Sequence, residues 1–174
     1  MIKKIQSIYR RIFWSKEKFA RFRGVVIGRG CDIQDVVFGS EPYLIKIGNH
    51  VQITSGTKIF THGGAWVLRD KHPKIDFFGK VVIKDNVYIG NNSLIMPGVV
   101  IGSNVIVAAG SVVTKSIHDN CIVGGNPARI IGNIEDYEKK MVPFNVNSKG
   151  LSYAEKKDFL LKLTEDKFIQ KEYL

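Results

Sequence analysis

Four histidines, His50, His62, His72 and His118, are the side chains of this sequence best suited to moving protons near neutral pH. An imidazole can take the proton of an attacking hydroxyl, or it can ligate a metal through a ring nitrogen. The gaps between the four are 12, 10 and 46 residues. A catalytic zinc site needs three ligands around one open position, and three histidines without a close pair make a poor set for it, so no metal is expected. Cys31 and Cys121 lie far apart with no CxxC spacing and read as buried thiols of a reducing compartment. His62 is distinguished by its surroundings. It stands where a run of evenly spaced aliphatic residues gives way to Gly63-Gly64, a place where a side chain can face a cleft instead of a packed core.

The elements that must hold these residues are set by a period of six. Ile83, Ile89, Ile95, Ile101, Val107 and Val113 recur at that spacing, as do Ile47, Ile53 and Ile59, and before them Ile27 and Ile33. Six is neither the period of a helix nor that of a plain strand. It fits a short strand and a tight turn repeated, three of which close a triangular coil. Stacked coils then bury one aliphatic per face in a continuous core that no single coil could form alone. Gly, Asn and Asp beside the aliphatics suit the narrow corners. The expected fold is therefore all-β, a left-handed parallel β-helix over residues 24–132.

Two segments depart from the period. Residues 63–80, with Gly63-Gly64 and the charged run from Arg69 to Lys74, interrupt the series. The phase is kept across them, which leaves open either an extruded loop or a distorted extra coil. A second disturbance, near Val36–Ile45, shifts the phase by two residues. Both ends are expected to be helical. Ile2, Ile5, Ile8, Ile12, Phe19 and Phe22 give residues 1–23 a near-helical apolar spacing. Within 133–174, Ser152-Tyr153-Ala154-Glu155 has the form of a capping box ahead of Phe159, Leu160, Leu163 and Phe168.

The chain of 174 residues is 44% apolar and carries a net charge of +10. Eight bases against Glu17 alone give residues 1–23 a charge of +7, while eight acids and eight bases cancel over residues 134–174. Basic character concentrated at one end argues against a nucleic-acid groove along the whole domain. No run approaches the roughly 18 apolar residues of a membrane span, and a secretory signal pattern is lacking. The expected location is cytoplasmic. The basic N-terminal helix either caps the end of the coils or touches the inner face of the membrane as a peripheral contact.

Three segments resemble the hexapeptide-repeat acyltransferases, in particular the O-acetyltransferases of surface-polysaccharide assembly. They are Ile59-Phe60-Thr61-His62-Gly63-Gly64-Ala65-Trp66-Val67-Leu68-Arg69, then Val87-Tyr88-Ile89-Gly90, then Ala108–Lys115 followed by Gly124–Ile131. The resemblance spans Gly24 to Gly132 and implies transfer of an acetyl group from acetyl-CoA to a hydroxyl of a sugar or polysaccharide precursor. It implies His62 as general base at a subunit interface, and a homotrimer. It places Asn91 and Ala109 along the pantetheine arm, Thr114, Lys115 and Arg129 near the phosphates, and Tyr88 as a stacking wall. A further Arg that some relatives carry is Gly132 here. Trp66 and the charged loop suit an acceptor sugar through stacking and hydrogen bonding.

Other readings share this fold. The segment Asp70–Ile75 resembles one that supplies an active-site histidine in serine acetyltransferases, which makes His72 a second candidate near the acceptor. A serine or xenobiotic O-acetyltransferase, a membrane-docking scaffold without catalysis, and a γ-class carbonic anhydrase complete the alternatives. The histidine spacing weighs against the last.

Overall fold

The structure, a computed structural model, describes residues 14–173. The chain divides into two compact units that meet at Ile134. In the first, short strands of two to four residues fall in rotation onto three sheets as far as Val112–Val113, after which Cys121–Gly124 rejoins the second. The first face stacks Val26–Ile27, Ile45–Ile47, Val81–Ile83 and Val100–Ile101. The second stacks Asp32–Ile33, Val51–Ile53, Val87–Ile89, Val105–Val107 and Cys121–Gly124, and the third Val37–Phe38, Lys58–Ile59, Leu94–Ile95 and Val112–Val113. All of these strands pair in parallel. This is the left-handed parallel β-helix the hexads imply, with helices at both ends.

The register explains the period. Each strand lies about 4.8 Å from the next in its sheet, and the last residue of every strand from Val26–Ile27 to Val112–Val113 points inward: Ile53, Ile59, Ile89, Ile95, Ile101 and Val107 are wholly shielded from water. The small residues four positions after an aliphatic fill the corners. Thr57, Ser93 and Ser111 are buried there, and their hydroxyls bond the carbonyls of Gly90 and Ala108. At another edge His50, Asn86, Asn104 and Asn120 all take the left-handed conformation, with φ of 53°, 56°, 55° and 63°. Their side chains form a ladder of hydrogen bonds 2.8–2.9 Å long. His50 is thus a rung of a structural ladder, and His118 is an exposed surface residue.

The departures from the period are resolved by pairing. Ile47 lies directly against Ile83 and Ile59 against Ile95, so residues 63–80 form no extra coil and leave the stack as a loop. The disturbance near Val36–Ile45 is an insertion holding the short 3-10 helix Pro42–Leu44. The closing segment departs as well. Cys121–Gly124 turns back on Arg129–Asn133 in an antiparallel hairpin, where further parallel coils would otherwise follow.

At the other end, helix α1 (Lys16–Phe22) begins at the Ser15 cap and buries Ala20 against the first coil. Its Arg21 guanidinium bonds the carbonyls of Ile27 and Gly28, backbone groups that the first coil leaves without a coil beneath. These residues cap the stack. The part of the expected N-terminal helix within residues 1–13 lies outside the described residues. The second unit contains α2 (Ile134–Met141, whose first residue closes the preceding unit) and α3 (Tyr153–Leu161). The capping box forms, with Ser152 and Glu155 exchanging two bonds, but the helix ends at Leu161 and only a short 3-10 turn, Glu165–Lys167, follows. Among the described residues no helix is long and apolar enough to cross a membrane.

Candidate functional site

Both insertions leave the stack at the same edge, between the third face and the first, on adjacent coils. The register running through Val37↔Lys58 and Phe38↔Ile59 has an offset of 21 residues. Carried three residues further, it sets Glu41 beside His62. There Glu41 Oε2 accepts hydrogen bonds from Thr61 Oγ1 at 2.8 Å and from His62 Nδ1 at 2.7 Å.

The loop that begins at His62 is held by a short stalk. Gly79 N–H donates to the Thr61 carbonyl at 2.7 Å, and His62 and Phe78 form an antiparallel bridge with their rings 5.8 Å apart. Close approach requires glycine at the exit: a Cβ on Gly79 would stand 2.3 Å from Gly98 N on the coil above. The His62 side chain is 41% exposed and that of Glu41 15%, so the imidazole reaches solvent while its carboxylate partner is largely covered.

The chemistry follows from the donor inventory. An ionised carboxylate only accepts, so the hydrogen of this bond belongs to His62 Nδ1. Nε2 is then the ring nitrogen that keeps a lone pair, as a general base requires. The Thr61 hydroxyl foremost, and then His62 through its hydrogen bond and charge, hold the Glu41 carboxyl below the ordinary glutamate range, against the opposing effect of burial. Glu41 therefore stays charged and fit to orient an imidazole and to stabilise it once protonated. No motif in the sequence points to Glu41. Its signal was the phase shift near Val36–Ile45, which becomes meaningful once that insertion and His62 are assigned to one edge.

The remaining sites fall in three places. Thr114 and Lys115 lie on the His62 edge two coils further on, since Val113 ends a third-face strand and Ile117 bridges to Ile101 on the first face. With Arg129 from the hairpin they line a hollow of about 400 Å³. Asn91 and Ala109 stack on a different edge, where the Asn91 carbonyl accepts from Gly110 N–H and Ala109 packs on Gly90. Tyr88 stands outward at the centre of the second face, between Gln52 and Ile106. That face lies opposite the His62 edge of the same prism, so one chain does not bring Tyr88 to His62.

Trp66 lies on the loop in the 3-10 helix Ala65–Leu68, 79% exposed, with the Arg69 guanidinium 5.8 Å from its ring centre. His72 is exposed beside Lys71, Pro73, Lys74 and Ile75, and its ring makes no hydrogen bond to Glu41 or His62. Cys31 and Cys121 are free and half-buried, less covered than expected. Among the described residues no group of three or more His, Cys, Asp or Glu is placed to hold a metal.

Comparison with known proteins agrees with this architecture. Residues 80–115 match the bacterial transferase hexapeptide family (six repeats). Protein CapG of Staphylococcus aureus is 52% identical over 159 residues, which cover 88% of this chain and 92% of CapG. The galactoside O-acetyltransferase of Escherichia coli is 36% identical over 101 residues, 57% of this chain and 49% of that enzyme. Among solved structures, a hexapeptide-repeat-containing acetyltransferase of Vibrio cholerae superposes with a TM-score of 0.64 at 26% identity, over 74% of this chain and 86% of that one. The same enzyme in complex with acetyl coenzyme A gives 0.59 at 25% identity, over 74% and 82%. Through its coil register, its interrupted edge and its likeness to CapG along nearly the whole length of both chains, this chain belongs to the hexapeptide-repeat acyltransferase family.

Proposed function

We propose that this chain is an acetyl-CoA-dependent O-acetyltransferase acting on a hydroxyl of a sugar or polysaccharide precursor, with His62 as general base. The observation that carries the reading is the Glu41–His62 pair at the root of the loop. It fixes the ring and directs the basic Nε2 away from the carboxylate. The E. coli relative supports a sugar acceptor by its name, galactoside O-acetyltransferase, and the V. cholerae complex supports acetyl-CoA as donor.

His62 Nε2 takes the acceptor's hydroxyl proton as the oxygen attacks the thioester carbonyl carbon. Glu41 stabilises the imidazolium that forms. When the C–S bond breaks, the imidazolium returns the proton to the departing CoA sulfur, so proton and electron pair both balance. Thr114, Lys115 and Arg129 are suited to hold the nucleotide phosphates, Lys as a point charge and Arg as a fork. Trp66 offers an exposed ring for the sugar, and His72 on the same loop is a candidate for the acceptor pocket.

The distribution of these residues supports an oligomer, which the family resemblance makes a homotrimer. His62 with Thr114 and Lys115, Asn91 with Ala109, and Tyr88 occupy separate edges or faces of one prism, so a single site containing all of them needs the edge of one copy against a face of another. Peripheral contact with an anionic membrane through the basic residues 1–23 remains part of the reading on charge alone.

The test is thiol release from acetyl-CoA in the presence of a panel of hexoses, hexosamines and nucleotide sugars. Acceptor-dependent release that disappears in His62→Ala is the expected result. Undiminished release in that variant would overturn the assignment of the base.

A further inference from the structure

The Glu41 oxygen that holds His62 is itself held by a residue the reaction does not touch. Thr61 is wholly buried, and its hydroxyl lies 2.8 Å from the same Oε2 that receives His62 Nδ1. Because a carboxylate only accepts, the Thr61 hydroxyl is the donor. Its own placement is over-determined: a β-branched side chain has few rotamers, and its carbonyl is pinned by Gly79 N–H across the stalk. Glu41, by contrast, is a long side chain at the tip of an insertion. It would lose several free torsions on being fixed, and its other carboxylate oxygen has no hydrogen bond. Two donors converging on one oxygen define where that oxygen sits.

We propose that Thr61 is a positioning residue for acetyl transfer, anchoring the Glu41 oxygen that fixes the tautomer and orientation of His62. The proposal rests on the reading of His62 as general base. It adds a third member to the pair, Thr61–Glu41–His62, in which the buried end is a hydroxyl. Thr61 also connects the site to the loop, since the residue that anchors the carboxylate by its side chain closes the stalk by its carbonyl.

The test compares Thr61→Val, which keeps the branched shape and loses the donor, with Thr61→Ser, which keeps the donor and loses a methyl. Histidine ring nitrogens are followed by long-range proton–nitrogen NMR at a pH where the imidazole is neutral, and kinetics use acetyl-CoA with the sugar acceptor found in the panel. In Thr61→Val the Nδ1–H form of His62 should lose its dominance, and kcat should fall about tenfold or more with an unchanged KM for acetyl-CoA. Thr61→Ser should restore both. If Thr61→Val does not fold, Thr61→Ala is set against Thr61→Ser with the same readouts. Wild-type tautomer and kcat in the folded variant lacking the hydroxyl would overturn the proposal. The two readings fail separately: turnover surviving in His62→Ala removes the base, whereas a dead His62→Ala beside an unaffected Thr61→Val removes only the role of Thr61.

Discussion

Glu41 Oε2 and His62 Nδ1 lie 2.7 Å apart although 21 residues separate them in the chain. Theirs is a register contact, made because two insertions leave one edge of the stack on successive coils. Removing the imidazole in His62→Ala should lower kcat by about 10²–10⁴-fold, the usual contribution of a positioned base. Glu41→Ala should lower kcat by about 10–10²-fold, on the scale seen when an orienting partner is lost. KM for acetyl-CoA should stay near wild type in both. Steady-state kinetics on folded variants checks each value.

The carboxylates give the stability a direction with pH. Glu41 is held below the ordinary value of 4.5, by the Thr61 hydroxyl first and then by His62. Asp119 is held below 3.8, by the Ser103 backbone N–H first and then by Lys84. A depressed carboxyl stabilises the folded state above its unfolded value, and that contribution is lost as pH falls through the folded value. The wild-type Tm should therefore decline on acidification below about pH 4.5. The double variant Glu41→Gln, Asp119→Asn should have a lower Tm at pH 7 and a flatter decline. Thermal melts from neutral to acid pH read this directly.

Inward and outward positions of the coils should differ sharply. Ile53, at 0% exposure in the second coil, should cost about 2–5 kcal/mol when changed to alanine, because the stack above and below cannot collapse into the space. Val26→Ala, at an outward position 56% exposed, should change stability by only about 0.5 kcal/mol or less. Urea unfolding of the two variants measures the contrast.

Gly79 couples the loop to the coil above it. Alanine there would press its Cβ onto the backbone of Pro97 and Gly98. Gly79→Ala should cost about 1–3 kcal/mol in overpacking, and by shifting the stalk it should reduce kcat as well. A variant with normal kcat and normal stability would contradict the stalk as drawn.

For the donor end, Arg129→Ala should raise KM for acetyl-CoA about tenfold with little change in kcat. A phosphate contact that is equally strong in ground and transition states behaves in this way. Dephospho-CoA derivatives as competitive inhibitors would show which phosphate is involved.

The hexad spacing by itself determined the coil, the inward aliphatics and the small corner residues, because each coil must present the same positions to the core and the period is written residue by residue. It marked His62 as the residue where the coil opens, while the grouping of Thr114, Lys115 and Arg129 came only from the resemblance of Ala108–Lys115 and Gly124–Ile131 to the acyltransferases. What the sequence alone could not decide was which residues meet across the stack. Whether residues 63–80 were loop or extra coil depended on Ile47 pairing with Ile83, since both arrangements keep the phase. Glu41 became visible only when two irregular segments were assigned to one edge, and Thr61 only when its hydroxyl was seen to share Glu41's oxygen. Tyr88 stands on the face opposite His62 for the same reason. Period fixes what points inward, but the edge on which an insertion leaves is set by the register of neighbouring coils, which is a property of the folded stack.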